Sequence, residues 1–399
     1  MSKKLFTEYP EQDERQYYDR LVTLAKERMD NLFKNTEQAL RDTHAKTHGS
    51  VKATLDIFDI DEQAIKSELS KRASLTAAQL NAISIKQGLL AKPKQYPVWL
   101  RFANGRTKVE NDYVSDTRSM AVKVIGVEGE RLAQSHESKT QDIITQNAEI
   151  FFIKTIRDYY GFFSAVVESE KAALKWLLLH PLQFLALNKI TAPTPKSLLT
   201  ERYWSGSASA FGLNPDFEAS QTGVVPVEYP AVVKYAFTPV SPQAPHNTIP
   251  FQSRPEIPKF PFSDRAKTLG LDSNQPDNYY RQELIQSLAK PDAQYSWDFG
   301  IQFQTNPNMS IDDATIVWQE SESPFFTVGR LTVKHQFIDS EKQFNFAENL
   351  QFFPWNGLAV HRPVGALNRI RSLVYPIVAG YRHSKPDRAY QEPTGNETF

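Results

Sequence analysis

Pro97-Val-Trp-Leu-Arg-Phe-Ala-Asn-Gly105, Ser119-Met-Ala-Val-Lys-Val-Ile-Gly-Val127 and Glu149-Ile-Phe-Phe-Ile-Lys-Thr155 follow one another along the middle of the chain. Each stretch is short and rich in Val, Ile, Phe or Trp, and Gly, Asn and Asp separate them. That is the pattern of successive strands joined by polar turns. Working outward, residues 44–60 include the alternating run Val51-Lys-Ala-Thr-Leu-Asp-Ile-Phe-Asp-Ile60, which reads as another strand. Further strands are expected at Ala231–Phe237, Tyr295–Gln304 and Phe325–Gln336.

Helical patterns frame these strands. Glu11–Asp42 is charged, free of Gly and Pro, and repeats Leu21, Leu24, Met29 and Leu32 at near-helical spacing. Residues 62–92 read as helical, with Ser74-Leu75-Thr76 starting a second short helix, and Asp158–Ile190 reads as helix again. Leu367, Ile370, Leu373 and Val374 mark a helix from Gly365 to Gly380. Thr238–Lys267, rich in Pro and Ser, reads as an irregular surface connection. The order helix, strands, helix, strands, helix predicts an α+β fold rather than a doubly wound sheet. Strands of similar length with polar turns suit an antiparallel β-barrel. No internal repeat or clean boundary interrupts the chain; residues 1–40 are expected to form a helical arm and 41–399 the main domain.

Composition narrows the function. With 46 basic and 46 acidic residues the chain has no net charge, so no nucleic-acid or anionic-membrane partner is expected. The longest apolar run, Leu174–Leu187, is broken by Lys175, His180 and Pro181, so no integral membrane association is expected either. The first residues lack the apolar core of a secretory signal, which makes a cytoplasmic location the default. The absence of cysteine excludes disulfides, thiolate nucleophiles and cysteine-bound metal clusters.

Four short clusters carry chemically useful side chains. In Arg41-Asp-Thr-His44-Ala-Lys-Thr-His48, two histidines four apart would share a face if helical, but no third metal ligand is apparent, and a polar helix-to-strand junction is the plainer reading. Arg101 lies in an apolar strand, where it either meets an anion or faces outward. Asn147 stands ahead of an aromatic run, as a turn residue often does. Arg371 and Tyr375 are at i and i+4, so on a helix the guanidinium can reach the phenol oxygen and favour phenolate. Taken singly, each is compatible with a purely structural role.

Taken together and in order, these clusters resemble the haem catalases. Arg41-x-x-His44-Ala-Lys is similar to the motif of the distal histidine, and Arg101-Phe to the strand that closes on the haem. Asp116-Thr-Arg118-Ser-Met-Ala-Val-Lys123, Asn147-Ala-Glu-Ile-Phe-Phe152, Asp313-Ala-Thr315-x-x-Trp318 and Pro324 to Leu331 resemble later family stretches. Arg371-x-x-x-Tyr375-Pro376 resembles the proximal motif, with Arg382 following. The resemblance runs over about residues 41 to 383. It implies a catalase-like barrel with flanking helices, without the flavodoxin-like C-terminal domain of large catalases, and a haem b cofactor.

The resemblance also implies roles. Tyr375 would ligate the haem iron as phenolate and Arg371 would keep it ionised. His44 would move a proton between the two peroxide oxygens, and Asn147 would orient the peroxide. Arg41, Arg101 and Arg382 would pair with the propionates. Phe152, together with Tyr160, would pack near the porphyrin. The expected substrate is hydrogen peroxide or an organic hydroperoxide, turned over by an oxidoreductase; a homo-oligomer, a dimer and a monomer all stay open.

Several positions depart from the family pattern. Ala103 replaces a serine, Thr43 a valine, the Thr47-His48-Gly49 stretch a run of small residues, and Ala379 a histidine. Thr43 is also the residue carried by coral allene oxide synthases, catalase relatives that rearrange fatty-acid hydroperoxides. A lipid hydroperoxide lyase or isomerase, with Thr43 acting on His44 or the peroxide, is therefore a second expectation. A haem carrier without turnover is the third, and retention of both His44 and Asn147 argues against it.

Overall fold

The computed structural model describes residues 3–72, 75–112, 114–213, 226–240, 278–386 and 388–399. A short strand β1 (Thr7–Glu8) leads through a 3-10 turn into helix α1 (Tyr18–Phe33). Strand β2 (Thr47–Ile57), helices α2 (Glu62–Arg72) and α3 (Ala77–Ala82), and strands β3 (Lys94–Asn104), β4 (Arg118–Ile125) and β5 (Thr140–Gln146) follow. Helices α4 (Ile156–Glu168), α5 (Glu170–Leu179) and α6 (Pro181–Thr191) precede the short strands β6 (Tyr203–Trp204), β7 (Ser209–Ala210) and β8 (Val227–Glu228). The chain ends with β9 (Val232–Pro239), α7 (Tyr279–Leu288), β10 (Gln294–Phe303), β11 (Phe326–Lys334), α8 (Glu341–Asn349) and α9 (Ala366–His383).

Strand pairing closes on itself. The order β10-β11-β2-β3-β4-β5-β6-β9 returns to β10 through a β9–β10 ladder, giving an eight-stranded antiparallel barrel, with β7 added to β9. Side-chain alternation decides what fills it. Val98, Leu100 and Phe102 of β3 and Met120, Val122 and Val124 of β4 join Phe299, Ile301 and Phe303 of β10 in one apolar core. The lumen is therefore a packed interior. The alternate residues Trp99, Arg101 and Ala103, and Ser119, Ala121 and Lys123, belong to the opposite face and are still buried. Helices and loops cover that outer face, and this is where polar side chains gather.

The helices have their own packing. Leu21 and Ala25 of α1, Ile156 and Phe163 of α4, and Ala366, Ile370 and Val374 of α9 form a second apolar cluster. Local sequence sets the breaks between α4, α5 and α6: Ser169 caps α5 by accepting from the Ala172 N–H, and Pro181 opens α6. The expected helix at Asp158–Ile190 is thus three helices. The expected Glu11–Asp42 helix ends at Phe33, and 62–92 resolves into α2, α3 and a 3-10 turn.

One expected strand is corrected. Residues 149–155 form no strand; the chain there bends through a loop, and the third strand of the series is β5. The aromatic run is apolar because Ile150, Phe152 and Ile153 pack with Ile190 of α6, and Phe162 and Trp176 complete that cluster. β5 escaped the pattern because its outward Asp142 is buried against Lys123 of β4, its direct cross-strand partner. The Pro- and Ser-rich connection expected at Thr238–Lys267 lies outside the described residues from position 241 onward.

Candidate functional site

Arg101 is on the outer face of β3, buried beneath α8. Its Nη2 donates to the His44 carbonyl at 2.8 Å and lies 3.6 Å from Glu348 Oε1, while its Nε is buried without a partner. Arg41 Nη1 approaches the same Glu348 oxygen at 3.3 Å, and Arg41 also donates to the carbonyls of Ala347 and Leu350. Arg382, buried on α9, donates to the Glu348 carbonyl. Three guanidiniums, from the chain before β2, from β3 and from α9, therefore meet at Glu348, two at its carboxylate and one at its backbone carbonyl.

The electrostatics of this cluster are unbalanced. Burial lowers the pKa of all three arginines; neighbouring guanidiniums lower it further, and the Glu348 carboxylate opposes them. Burial pushes the Glu348 carboxyl up, but Arg41, Arg101, Arg382 and Arg388 together hold it below its ordinary value. Guanidinium groups stay protonated in proteins, so the imbalance persists as buried positive charge. Four cations, Arg41, Arg101, Arg382 and Arg388, act on one anion, leaving a place that suits a group with two carboxylates. Glu348 carries no sequence motif and was missed; only the fold brings α8 over β3.

His44 precedes β2, with its backbone N–H on the Gly105 carbonyl at 3.2 Å and with φ at 55°, a strained value for a residue with a side chain. Its Nδ1 is buried without a hydrogen-bond partner. Burial first, then the charges of Arg101, Arg371 and Arg41, lower its pKa to about 3. The imidazole is thus held neutral. Thr43 is exposed, and no hydrogen bond ties it to the His44 ring. His48 is not on a helix with His44: it lies in β2 and pairs through Nε2 with Asn104 Oδ1 at 2.7 Å. Among the described residues no cluster of His, Cys, Asp and Glu suits a metal ion.

Asn147 follows β5 and is bound to the start of β4: its N–H donates to the Arg118 carbonyl at 2.8 Å and its Oδ1 accepts the Arg118 N–H at 2.7 Å. Its buried Nδ2 faces the Glu201 carboxyl, whose pKa burial raises and the Asn147 side chain, as hydrogen-bond donor, lowers.

Tyr375 is half-buried on α9, immediately before Pro376, and its ring lies 6.4 Å from that of Phe353, beside Leu132 and Trp355. Arg371 sits one turn earlier and donates to Ser207 Oγ at 3.0 Å and Asn368 Oδ1 at 3.2 Å. The expected Arg371–Tyr375 bond is not formed, so the phenol oxygen is left uncommitted. Tyr159 of α4 completes this side. Burial raises its pKa, Asp42 and Tyr375 reinforce the rise, and Arg371 and Arg28 oppose it, which places all five groups within electrostatic reach. Phe152 is buried in the aromatic cluster that includes Tyr159, whereas Tyr160 turns to Tyr17 of the N-terminal segment at 5.4 Å.

The loop behind Tyr375 is held from the barrel. Lys123 Nζ contacts Glu137 Oε2 at 2.5 Å and Asp142 Oδ1 at 2.7 Å, all three side chains fully buried. The other Asp142 oxygen accepts the Phe353 N–H at 2.8 Å. An ion triad on the outer face of β4 and β5 thereby fixes the residue that packs on Tyr375.

Comparison with solved structures gives the closed barrel its relatives. A fungal catalase superposes with a TM-score of 0.56 at 17% identity, over 92% of this chain and 64% of that one. The chain has the catalase fold. Catalase A from Saccharomyces cerevisiae (TM-score 0.56, 16% identity, 92% and 67% coverage) and a bacterial catalase (0.52, 15%, 92% and 63%) superpose similarly. The chain thus spans about two thirds of the length of these catalases. No family model and no curated protein matches the sequence. Of the ordered motif residues, Arg101 is on the outer face of β3, Arg41 and Asn147 are in the segments before β2 and after β5, and Arg371 and Tyr375 are on α9.

Proposed function

We propose that this protein is a haem b-dependent enzyme acting on peroxides, either hydrogen peroxide or organic hydroperoxides. The observation that carries the proposal is the excess of buried positive charge at Arg41, Arg101 and Arg382 beside a neutral, strained His44. A porphyrin with two propionates would answer that charge, with Arg41, Arg101 and Arg382 as the pairing residues. The uncommitted oxygen of Tyr375 suits an axial ligand, and Phe152 supplies an apolar contact. Bound haem would supply the redox-active iron at which the O–O bond is cleaved.

The chain's own groups would manage protons and orientation. His44 Nδ1, neutral and unpartnered, takes a proton from the approaching peroxide oxygen and returns it to the departing one. Asn147 Nδ2, which faces the Glu201 carboxyl, would turn to donate to the peroxide and fix its direction. The haem-loaded protein should consume peroxide, and His44→Ala should lower kcat/KM by about 10²-fold or more. Unchanged turnover in His44→Ala would overturn the assignment of the base.

A further inference from the structure

Five of the exposed large apolar side chains crowd into twelve residues: Leu174, Leu178, Leu179, Leu182 and Leu185, where α5 meets α6. The four around the His180-Pro181 break expose 63%, 69%, 78% and 64% of their surface. Leucines this open, side by side, form the kind of patch that soluble surfaces avoid. The helices beneath them are firmly seated: Leu177 and Ile190 are buried, Trp176 stacks on His180 at 3.7 Å, and Trp176 packs edge-on to Phe162 at 5.4 Å. Phe162 in turn meets Phe152 at 5.1 Å, so the patch is continuous with the aromatic side of the candidate site.

Charge decides the partner. Lys171, Lys175 and Lys189 are exposed on the same two helices and form no ion pair among the described residues. Lys175 precedes Leu178 and Leu179 by three and four residues, and Lys189 follows Leu185 by four, which places them along the edge of the patch. Of the nearest carboxylates in sequence, Glu168 and Glu170, the second is taken by Lys108. A second copy of the chain related by a two-fold axis would set these lysines against one another. An anionic lipid surface would receive the leucines among its acyl chains and the ammonium groups among its phosphates. The zero net charge of the whole chain conceals this local separation. Among the described residues no helix is long and apolar enough to cross a membrane, so the geometry is that of a helix pair lying on the surface.

We propose that the α5–α6 face docks on an anionic lipid surface, with Leu178, Leu179, Leu182 and Leu185 inserted and Lys171, Lys175 and Lys189 at the headgroups. This inference concerns the surface alone and does not depend on haem or peroxide. Flotation of the full chain with phosphatidylcholine vesicles, with and without phosphatidylserine, tests it, with light scattering on the same samples to read the oligomeric state. The wild-type chain should float with the phosphatidylserine vesicles. Leu178→Ser/Leu182→Ser/Leu185→Ser should lower the bound fraction by about tenfold, and Lys171→Glu/Lys175→Glu/Lys189→Glu should abolish the preference for phosphatidylserine. These positions are exposed, and an unchanged melting temperature will show that both variants fold. Failure of the wild-type chain to float would overturn the proposal. A wild-type dimer that the leucine variant converts to monomer, without vesicle binding, would overturn it in favour of a second copy.

Discussion

Arg41 and Arg101 aim at one oxygen atom, Glu348 Oε1, from 3.3 and 3.6 Å. Sixty positions separate them in sequence, and among the described residues neither has another carboxylate partner. Burying like charges around a single anion is unfavourable unless a further anion joins them, since each desolvated ion costs several kcal/mol.

Removing one of the excess charges should therefore help the haem-free protein and harm the loaded one. Arg101→Met is expected to leave the stability of the haem-free chain unchanged or raise it by about 1–4 kcal/mol, read from urea unfolding. The same variant should weaken haem binding. Destabilisation of the haem-free chain by several kcal/mol would show that Arg101 is already balanced without a cofactor.

The same charges act on His44. Because burial and then Arg101, Arg371 and Arg41 lower its pKa to about 3, the ring should stay neutral to below pH 5 in the haem-free protein. The unfolded ring titrates near 6.5, so the unfolded state gains the proton first. The stability that His44 contributes is present above about pH 6.5 and is lost as pH falls toward 3. Arg101→Met should raise the His44 pKa and flatten that loss. A ring-carbon NMR titration reads it directly, and wild-type His44 titrating near 6.5 would refute the account.

Lys123 bears on the Tyr375 side. Burial raises the Asp142 pKa to about 7, with Lys123 opposing and Glu137 reinforcing the rise. Lys123→Met would leave two buried carboxyls facing each other and is expected to cost about 3–5 kcal/mol near neutral pH. Without Lys123 the Asp142 pKa should rise further, so the folded variant takes up its proton at higher pH than the wild type and the penalty should shrink as pH falls toward about 7 from above. Denaturant titrations at several pH values test this; a penalty independent of pH would mean that Asp142 is not the titrating group.

Much of the barrel was legible because β2, β3, β4, β9, β10 and β11 alternate or run apolar as strands with one face in a packed lumen do. β5 and residues 149–155 were misread for one reason: polarity followed burial partners instead of sheet geometry. Asp142 on β5 is polar yet buried because Lys123 awaits it, and Phe151 and Phe152 are apolar because helices α4 to α6 cover them. At the candidate site, the proposal of Arg41, Arg101 and Arg382 rests on motif order, since nothing local distinguishes a buried arginine from an exposed one. Glu348, Ser207, Tyr159 and Phe353 had no such signal. Their roles arise from contacts across the fold, such as Ser207 taking Arg371 from 164 positions away.

The most direct test of the account is the visible absorption spectrum of the protein titrated with ferric haem, recorded for the wild type and Tyr375→Phe. The account predicts saturable one-to-one binding with the spectrum of a tyrosinate-ligated ferric haem, and its loss or alteration in Tyr375→Phe. No specific haem binding by the folded wild-type chain, or a bound spectrum identical in Tyr375→Phe, would contradict it.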